Sequence, residues 1–232
     1  MKQKKSDPHT LFDHERHLYS EGYLQVIGVD EVGRGPLAGP VVAAAATLKN
    51  PTKHPFMSGS ASEYNRMWDT IKDSKKLSEG KRDSLRAFIN EHYIVGVGMC
   101  TASEIDQINI LQASFLAMKR AINQMGDSIA TTNQIVLVDG NKTLPEYQGR
   151  QTAIIKGDDR VQCIAAASIV AKVTRDAMMT IYDEKYPEYG FAQHKGYGTK
   201  AHKEALEKHG ITKIHRKTFQ PIKGILASKI DK

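Results

Sequence analysis

The stretch Gly28-Val29-Asp30-Glu31-Val32-Gly33-Arg34-Gly35-Pro36 decides how this chain is read. It follows Gln25-Val26-Ile27, so an apolar run ends on two adjacent carboxylates. The pattern predicts a buried strand over 25–29 that stops at the acidic pair. Gly33, Gly35, Pro36, Gly39 and Pro40 then punctuate a turn or hairpin. Neighbours on a regular strand point to opposite faces, so Asp30 and Glu31 can serve one site only where the strand is ending, and Gly33 supports that. Acid beside a glycine-rich backbone that can closely approach a phosphate or a sugar asks for a chemical explanation. In isolation the pair also suits a solvated turn.

The rest of the chain supplies a frame. Residues 40–48 (Pro40-Val41-Val42-Ala43-Ala44-Ala45-Ala46-Thr47-Leu48) read as a second strand, and 93–101 and 153–155 as further strands. Gln134-Ile135-Val136-Leu137-Val138-Asp139-Gly140 reads as an apolar strand stopped by Asp-Gly. Helices are expected over 79–90, with Ser78 as N-cap, and over 164–186, ended by Pro187. Ser103 with Asp106, then Ile108, Leu111, Phe115, Leu116 and Ile122, reads as one amphipathic helical region. Residues 50–64 read as a surface loop that Trp68 packs down. The first 20 residues are polar, with a short, loosely held helix near 11–18. Strands first, then strands alternating with helices, suggest an α/β domain with a mixed sheet. The expected division is a polar segment 1–20, a core 21–190 and a basic helical segment 191–232.

The chain has 232 residues and a formal net charge of +7. Residues 194–232 carry 10 Lys/Arg against 3 Asp/Glu, while residues 1–193 carry 23 of each. All the excess positive charge therefore sits in the last segment, where it would attract a polyanion such as nucleic acid. No apolar run approaches a membrane span, and the Lys-rich start is followed by no signal-peptide core, so a cytoplasmic protein is expected. Cys100 and Cys163 lack metal-type spacing and read as reduced core thiols.

Two more acids stand out. Asp139 ends an apolar strand, the place where α/β sheets carry functional groups, although an Asx turn would also explain it. Asp176 shares a helical stripe with Ser168 and Lys172, beside the apolar stripe Ile169, Val173 and Ala177. It can lean toward the sheet or form an ion pair with Lys172 on a solvated face. Together, carboxylates without His or Cys suit hard cations such as Mg2+ or Mn2+. Two such ions clamp the attacking and leaving oxygens of a phosphodiester. The histidines offer no HExxH-type zinc motif.

With these residues in view, the chain resembles ribonuclease HII, the type 2 ribonuclease H of bacteria. The matching stretches are Gly28 to Val42, Asp73-Ser74-Lys75-Lys76-Leu77-Ser78, Asn109-Ile110-Leu111-Gln112-Ala113, Leu137-Val138-Asp139-Gly140-Asn141, Ala165-Ala166-Ala167-Ser168-Ile169-Val170-Ala171-Lys172-Val173-Thr174-Arg175-Asp176 and His194-Lys195-Gly196-Tyr197-Gly198-Thr199. They occur in the family's order across residues 22–222. The resemblance implies a ribonuclease H-like core of mixed sheet flanked by helices, with a small helical C-terminal part. It implies a four-acid site of Asp30, Glu31, Asp139 and Asp176 that holds two divalent ions, Mg2+ or Mn2+. The related type HIII has Glu at the last position, so Asp176 favours HII. The implied substrates are RNA–DNA hybrids and duplex DNA carrying single ribonucleotides, cut to leave a 3′-hydroxyl and a 5′-phosphate.

Gly33 and Gly35 suit close backbone approach to a 2′-hydroxyl, as the resemblance also implies, although a tight turn alone would use them too. Arg34, Lys75, Lys76 and Lys172 are expected phosphate contacts. Tyr197 is similar to the family tyrosine that packs against the deoxyribose after the ribonucleotide. The sequence departs from the family in a longer connector over 50–68, in Trp68, in Cys163 where Ser is commoner, and in Val32 where Ala is frequent. A monomer without membrane attachment is expected. The competing readings are another two-metal nuclease of the superfamily, such as a junction resolvase, and an RNA-binding protein without activity.

Overall fold

The structure is a computed structural model, and it describes residues 11–54, 57, 65–71, 79–128 and 132–230. Five strands, β1 (Gln25–Val32), β2 (Val41–Leu48), β3 (Tyr93–Cys100), β4 (Gln134–Asp139) and β5 (Arg150–Ile154), form a mixed sheet of order β3-β2-β1-β4-β5. The helices are α1 (Asp13–Ser20), α2 (Asn65–Asp69), α3 (Glu79–His92), α4 (Ala102–Gln124), α5 (Gln162–Lys185), α6 (Phe191–His194), α7 (Lys200–His209) and α8 (Ile222–Ile230). The expected α/β architecture is present, with β1 central. The strand expected over 153–155 is β5, shifted three residues earlier, and β1 runs past both acids to Val32.

The chain divides into two compact units, residues 1–30, 45–95 and 125–169, and residues 31–44, 96–124 and 170–232. In the first unit β1 and β4 pair in parallel, Val29 beside Val138, and β4 pairs in parallel with β5. β1 can lie close under the first turn of α5 because Gly28 is there. A Cβ at that position would collide with the backbone of Cys163 and Ile164. The α1 helix is not loosely held: Phe12 is buried against His54 with stacked rings 3.7 Å apart, and Glu15 accepts the Cys163 N–H at 2.6 Å. The polar composition of residues 1–20 conceals this, since among the described ones Phe12, Glu15 and Leu18 are the buried residues. Trp68 is buried beside His54, Phe88 and His92, as its packing role requires. Both cysteines are buried and free. The N-cap expected at Ser78 lies outside the described residues.

The second unit has its own core, in which Leu37 and Ala38 meet Met179, Tyr189, Phe191, Ala205, Leu206 and Ile222. The C-terminal helices are thus packed by apolar burial, and their charge lies on the outer positions. The helical region over 102–124 differs from expectation at both its start and its middle. Its capping pair is Thr101 and Glu104, whose Oε2 accepts the Thr101 N–H at 2.8 Å. Asp106 instead accepts the Lys217 and Thr218 N–H groups, each at 2.9 Å. The helix breaks at Asn109, with φ 65° and ψ 164°. The Asn109 Oδ1 accepts the N–H groups of Leu111 and Gln112, re-capping the second part.

Candidate active site

Asp30 and Asp139 lie in the first unit. Because Val29 and Val138 are paired in parallel, the next residues along stand side by side on one face, Asp139 at the carboxyl end of β4 and Asp30 near the end of β1, before Val32. Asp30 is only 6% exposed. Asp139 Oδ1 accepts the N–H of Gly157 at 2.7 Å, from a 3-10 turn over Gly157–Asp159. That bond orients the carboxylate from a distant loop, where the sequence also allowed a local Asx turn. A Cβ on Gly157 would stand 3.2 Å from the same Oδ1 and 2.6 Å from Ile164 Cδ1, so glycine gives this approach its room.

Glu31 and Asp176 lie in the second unit, with Gly33, Arg34, Gly35, Lys172 and Tyr197. Glu31 Oε1 pairs with Arg34 Nη1 at 3.2 Å. Asp176 Oδ1 pairs with Lys172 Nζ at 2.7 Å, so the ion pair allowed by the sequence forms, but at a position only 9% exposed rather than on a solvated face. Gly33 takes φ +93°, which ends β1. Gly35 lies against Tyr197: a Cβ there would meet the ring at 3.7 Å. The glycine turn and the tyrosine loop, far apart in sequence, therefore come together. The Tyr197 side of this pair is open, with the residue 46% exposed. Lys75 and Lys76 lie outside the described residues.

Sequence reasoning missed what holds this turn. Arg175 is buried and donates to the carbonyls of Pro40 (3.0 Å), Ala38 (3.2 Å) and Lys195 (3.0 Å). Arg216 is buried too and donates to Arg34 O at 2.8 Å, to Gly39 O at 3.1 Å and to Gly33 O. Guanidinium suits the task because its five N–H groups form a rigid fork. Burial, and for Arg216 also the neighbouring Arg175, pushes both pKa values down. The signal for Arg175 was its row, Ala171-Arg175-Met179 at helical spacing, with both flanking residues buried. Arg216 had none, since it reads as one more cation of the basic segment. Its burial corrects that reading: it braces backbone and is no phosphate contact.

Among the described residues no group of three or more His, Cys, Asp or Glu side chains is gathered as an ion site. The donor chemistry of the four acids is nonetheless all oxygen, which fits hard divalent cations and no thiophilic metal. Three histidines of the second unit have polar partners of their own: His202 Nε2 lies 3.0 Å from His215 Nε2, and His194 Nε2 2.8 Å from Tyr189 O.

The family model described as Ribonuclease HII matches residues 27–222. The chain belongs to the ribonuclease HII family. It is therefore a ribonuclease H, a hydrolase. Ribonuclease HII of Fusobacterium nucleatum is 49% identical over 210 residues, covering 90% of this chain and 92% of that one. The crystal structure of ribonuclease H2 from Pyrococcus horikoshii OT3 superposes with a TM-score of 0.67 at 27% identity, covering 90% of this chain and all of that one. The structure of Bst-RNase HIII in complex with Mn2+ has a TM-score of 0.66 at 18% identity, covering 100% of this chain and 77% of that one, and shares the fold. No helix among the described residues of this ribonuclease H is long and apolar enough to cross a membrane.

Proposed function

We propose that this chain cleaves the RNA strand of RNA–DNA hybrids and incises 5′ of single ribonucleotides embedded in duplex DNA, leaving a 3′-hydroxyl and a 5′-phosphate. It acts as a monomer in the cytoplasm. The observation that carries the ribose-specific part is the contact between Gly35 and Tyr197, which joins a glycine turn to an exposed aromatic ring in one unit. The turn's carbonyls at Gly33, Arg34, Ala38, Gly39 and Pro40 are all drawn onto Arg175 and Arg216. A backbone so held can present a fixed edge to a 2′-hydroxyl, the group that separates RNA from DNA.

Asp30, Glu31, Asp139 and Asp176 would hold two Mg2+ or Mn2+ ions. Divalent ions bound by such carboxylates lower the pKa of a water nucleophile and offset charge on the departing oxygen. The residues' own part is positioning and charge placement, which phosphoryl chemistry chiefly needs. Gly157 aims Asp139 through its N–H. Arg34 and Lys172, paired with Glu31 and Asp176 in the free protein, would turn toward phosphate as the acids take up cations. Tyr197 packs on the sugar 3′ of the ribonucleotide.

The test is cleavage of a labelled DNA duplex carrying one internal ribonucleotide, with Mg2+ or Mn2+, by wild type and Asp139→Asn. One cut on the 5′ side of the ribonucleotide, lowered at least about 100-fold in the variant, is expected. Equal cutting of an all-DNA duplex would favour a resolvase-like nuclease instead. Metal-independent binding without cleavage would leave only a binding protein.

A further inference from the structure

We propose that His202, backed by His215, is a positioning residue that sets Tyr197 and through it the discrimination of ribose. The inference rests on the reading of Tyr197 as the sugar-packing residue. His202 sits on α7 and His215 lies just beyond its C-terminus, and both are buried. His202 Nδ1 lies 2.9 Å from Tyr197 O. A carbonyl can only accept, so Nδ1 carries the proton. At the other end the Thr212 N–H donates to His215 Nδ1 at 2.8 Å. An amide N–H can only donate, so that Nδ1 is bare and the His215 proton sits on Nε2. The Nε2 atoms of the two rings are 3.0 Å apart, and His215 must donate across that gap to His202. The two backbone ends thus set every proton in one directed chain: Thr212 N–H, His215, His202, Tyr197 C=O.

The surroundings hold the chain in its neutral form. His194 stacks on His202 with ring centroids 4.6 Å apart, and its own nitrogens face Gly196 N–H at 3.2 Å and Tyr189 O. A proton added to His202 Nε2 would oppose donor to donor across the gap, and one added to His215 Nδ1 would face the Thr212 N–H. Phe191 faces both rings. The tyrosine loop holds Lys195 in the left-handed region at φ 50°, which costs a non-glycine residue free energy that its ties offset. His202 is fully buried, and its side-chain hydrogen bond toward the tyrosine loop goes to the Tyr197 backbone.

Two substitutions separate positioning from mere core filling. His202→Asn keeps an N–H at the Nδ1 place but gives up the His215 contact. His202→Gln reaches His215 but has no donor toward Tyr197. On the single-ribonucleotide duplex, His202→Gln should raise KM about 5- to 10-fold, the effect of one lost hydrogen bond, with His202→Asn near wild type. In a Tyr197→Ala background the two should become equal. If KM instead tracks thermal stability, or the difference survives without Tyr197, His202 is structural only and the inference fails. A wild type that cuts hybrid but ignores the single ribonucleotide would overturn the underlying reading of Tyr197, and this inference with it. Nitrogen-15 NMR of the wild-type histidines needs no variant: His202 as the Nδ1–H tautomer and His215 as Nε2–H are expected, and the opposite assignment overturns the relay.

Discussion

Arg175 shows at the residue scale how a charge can be used as structure. It is buried among carbonyls, and its three acceptors come from two separate segments, the 33–40 turn and the loop that carries Tyr197. Removing it leaves those carbonyls without their donors, and a buried unsatisfied acceptor is the expensive part of a lost hydrogen bond. Arg175→Ala should therefore destabilise the protein by about 3 kcal/mol or more. Arg175→Lys should recover less than half of that, because one ammonium on a flexible stem cannot span three fixed carbonyls. Urea midpoints read both values. Gly33 depends on the same side chain, since a Cβ there would collide with the Arg175 guanidinium.

The break in α4 belongs to the element scale. Apolar spacing from Ser103 to Ile122 predicts an amphipathic helical region, and because it counts side chains it carries no sign of a backbone reversal inside it. Asn109 makes that reversal at φ 65°, and its side chain caps the helical turns beyond it. Asn109→Ala loses the cap and keeps the strain, so about 2 kcal/mol should be lost. Asn109→Gly relieves the strain while losing the cap, and should lie between Ala and wild type in thermal unfolding. An Asn109→Ala protein as stable as wild type would mean that the second part of the helix does not need its cap. The same helix binds residues 217–218 through Asp106, beside the buried Arg216.

For the whole molecule the consequence is a pH dependence with two opposing parts. Burial pushes His54 and His215 from 6.5 down to about 4. Between those values the unfolded chain binds protons that the folded one refuses, so stability present above pH 6.5 is lost as pH falls toward 4. Glu15 runs the other way: burial raises its carboxyl from 4.5 to about 7, so its contribution is present below 4.5 and is lost as pH rises through 7. Glu15→Gln mimics the protonated acid and cannot titrate. Thermal melts between about pH 5 and pH 8 should show the Tm difference between variant and wild type shifting in the variant's favour as pH rises. A constant difference would show that Glu15 is not the titrating group.

The candidate acids stood out in local patterns, since Asp30, Glu31 and Asp139 end apolar runs and Asp176 lies in the 3.6-residue repeat of a long helix. Each pattern also suited a turn or an ion pair, and the long motifs of the family resemblance singled out the four together. The sheet and most element boundaries came from the same periodicities. The ties that hold the site were not legible, because they join segments distant in sequence through groups whose type predicts something else. Arg175 stood inside a long matching motif without a role of its own, and Arg216 counted only toward the basic segment. Glu15 lay within the polar first 20 residues, and His202 was one of the histidines that offered no zinc motif. Only folding places a carbonyl at each guanidinium N–H and one imidazole nitrogen against another. Hydrogen bonds form between positions in space, while a sequence records positions along the chain.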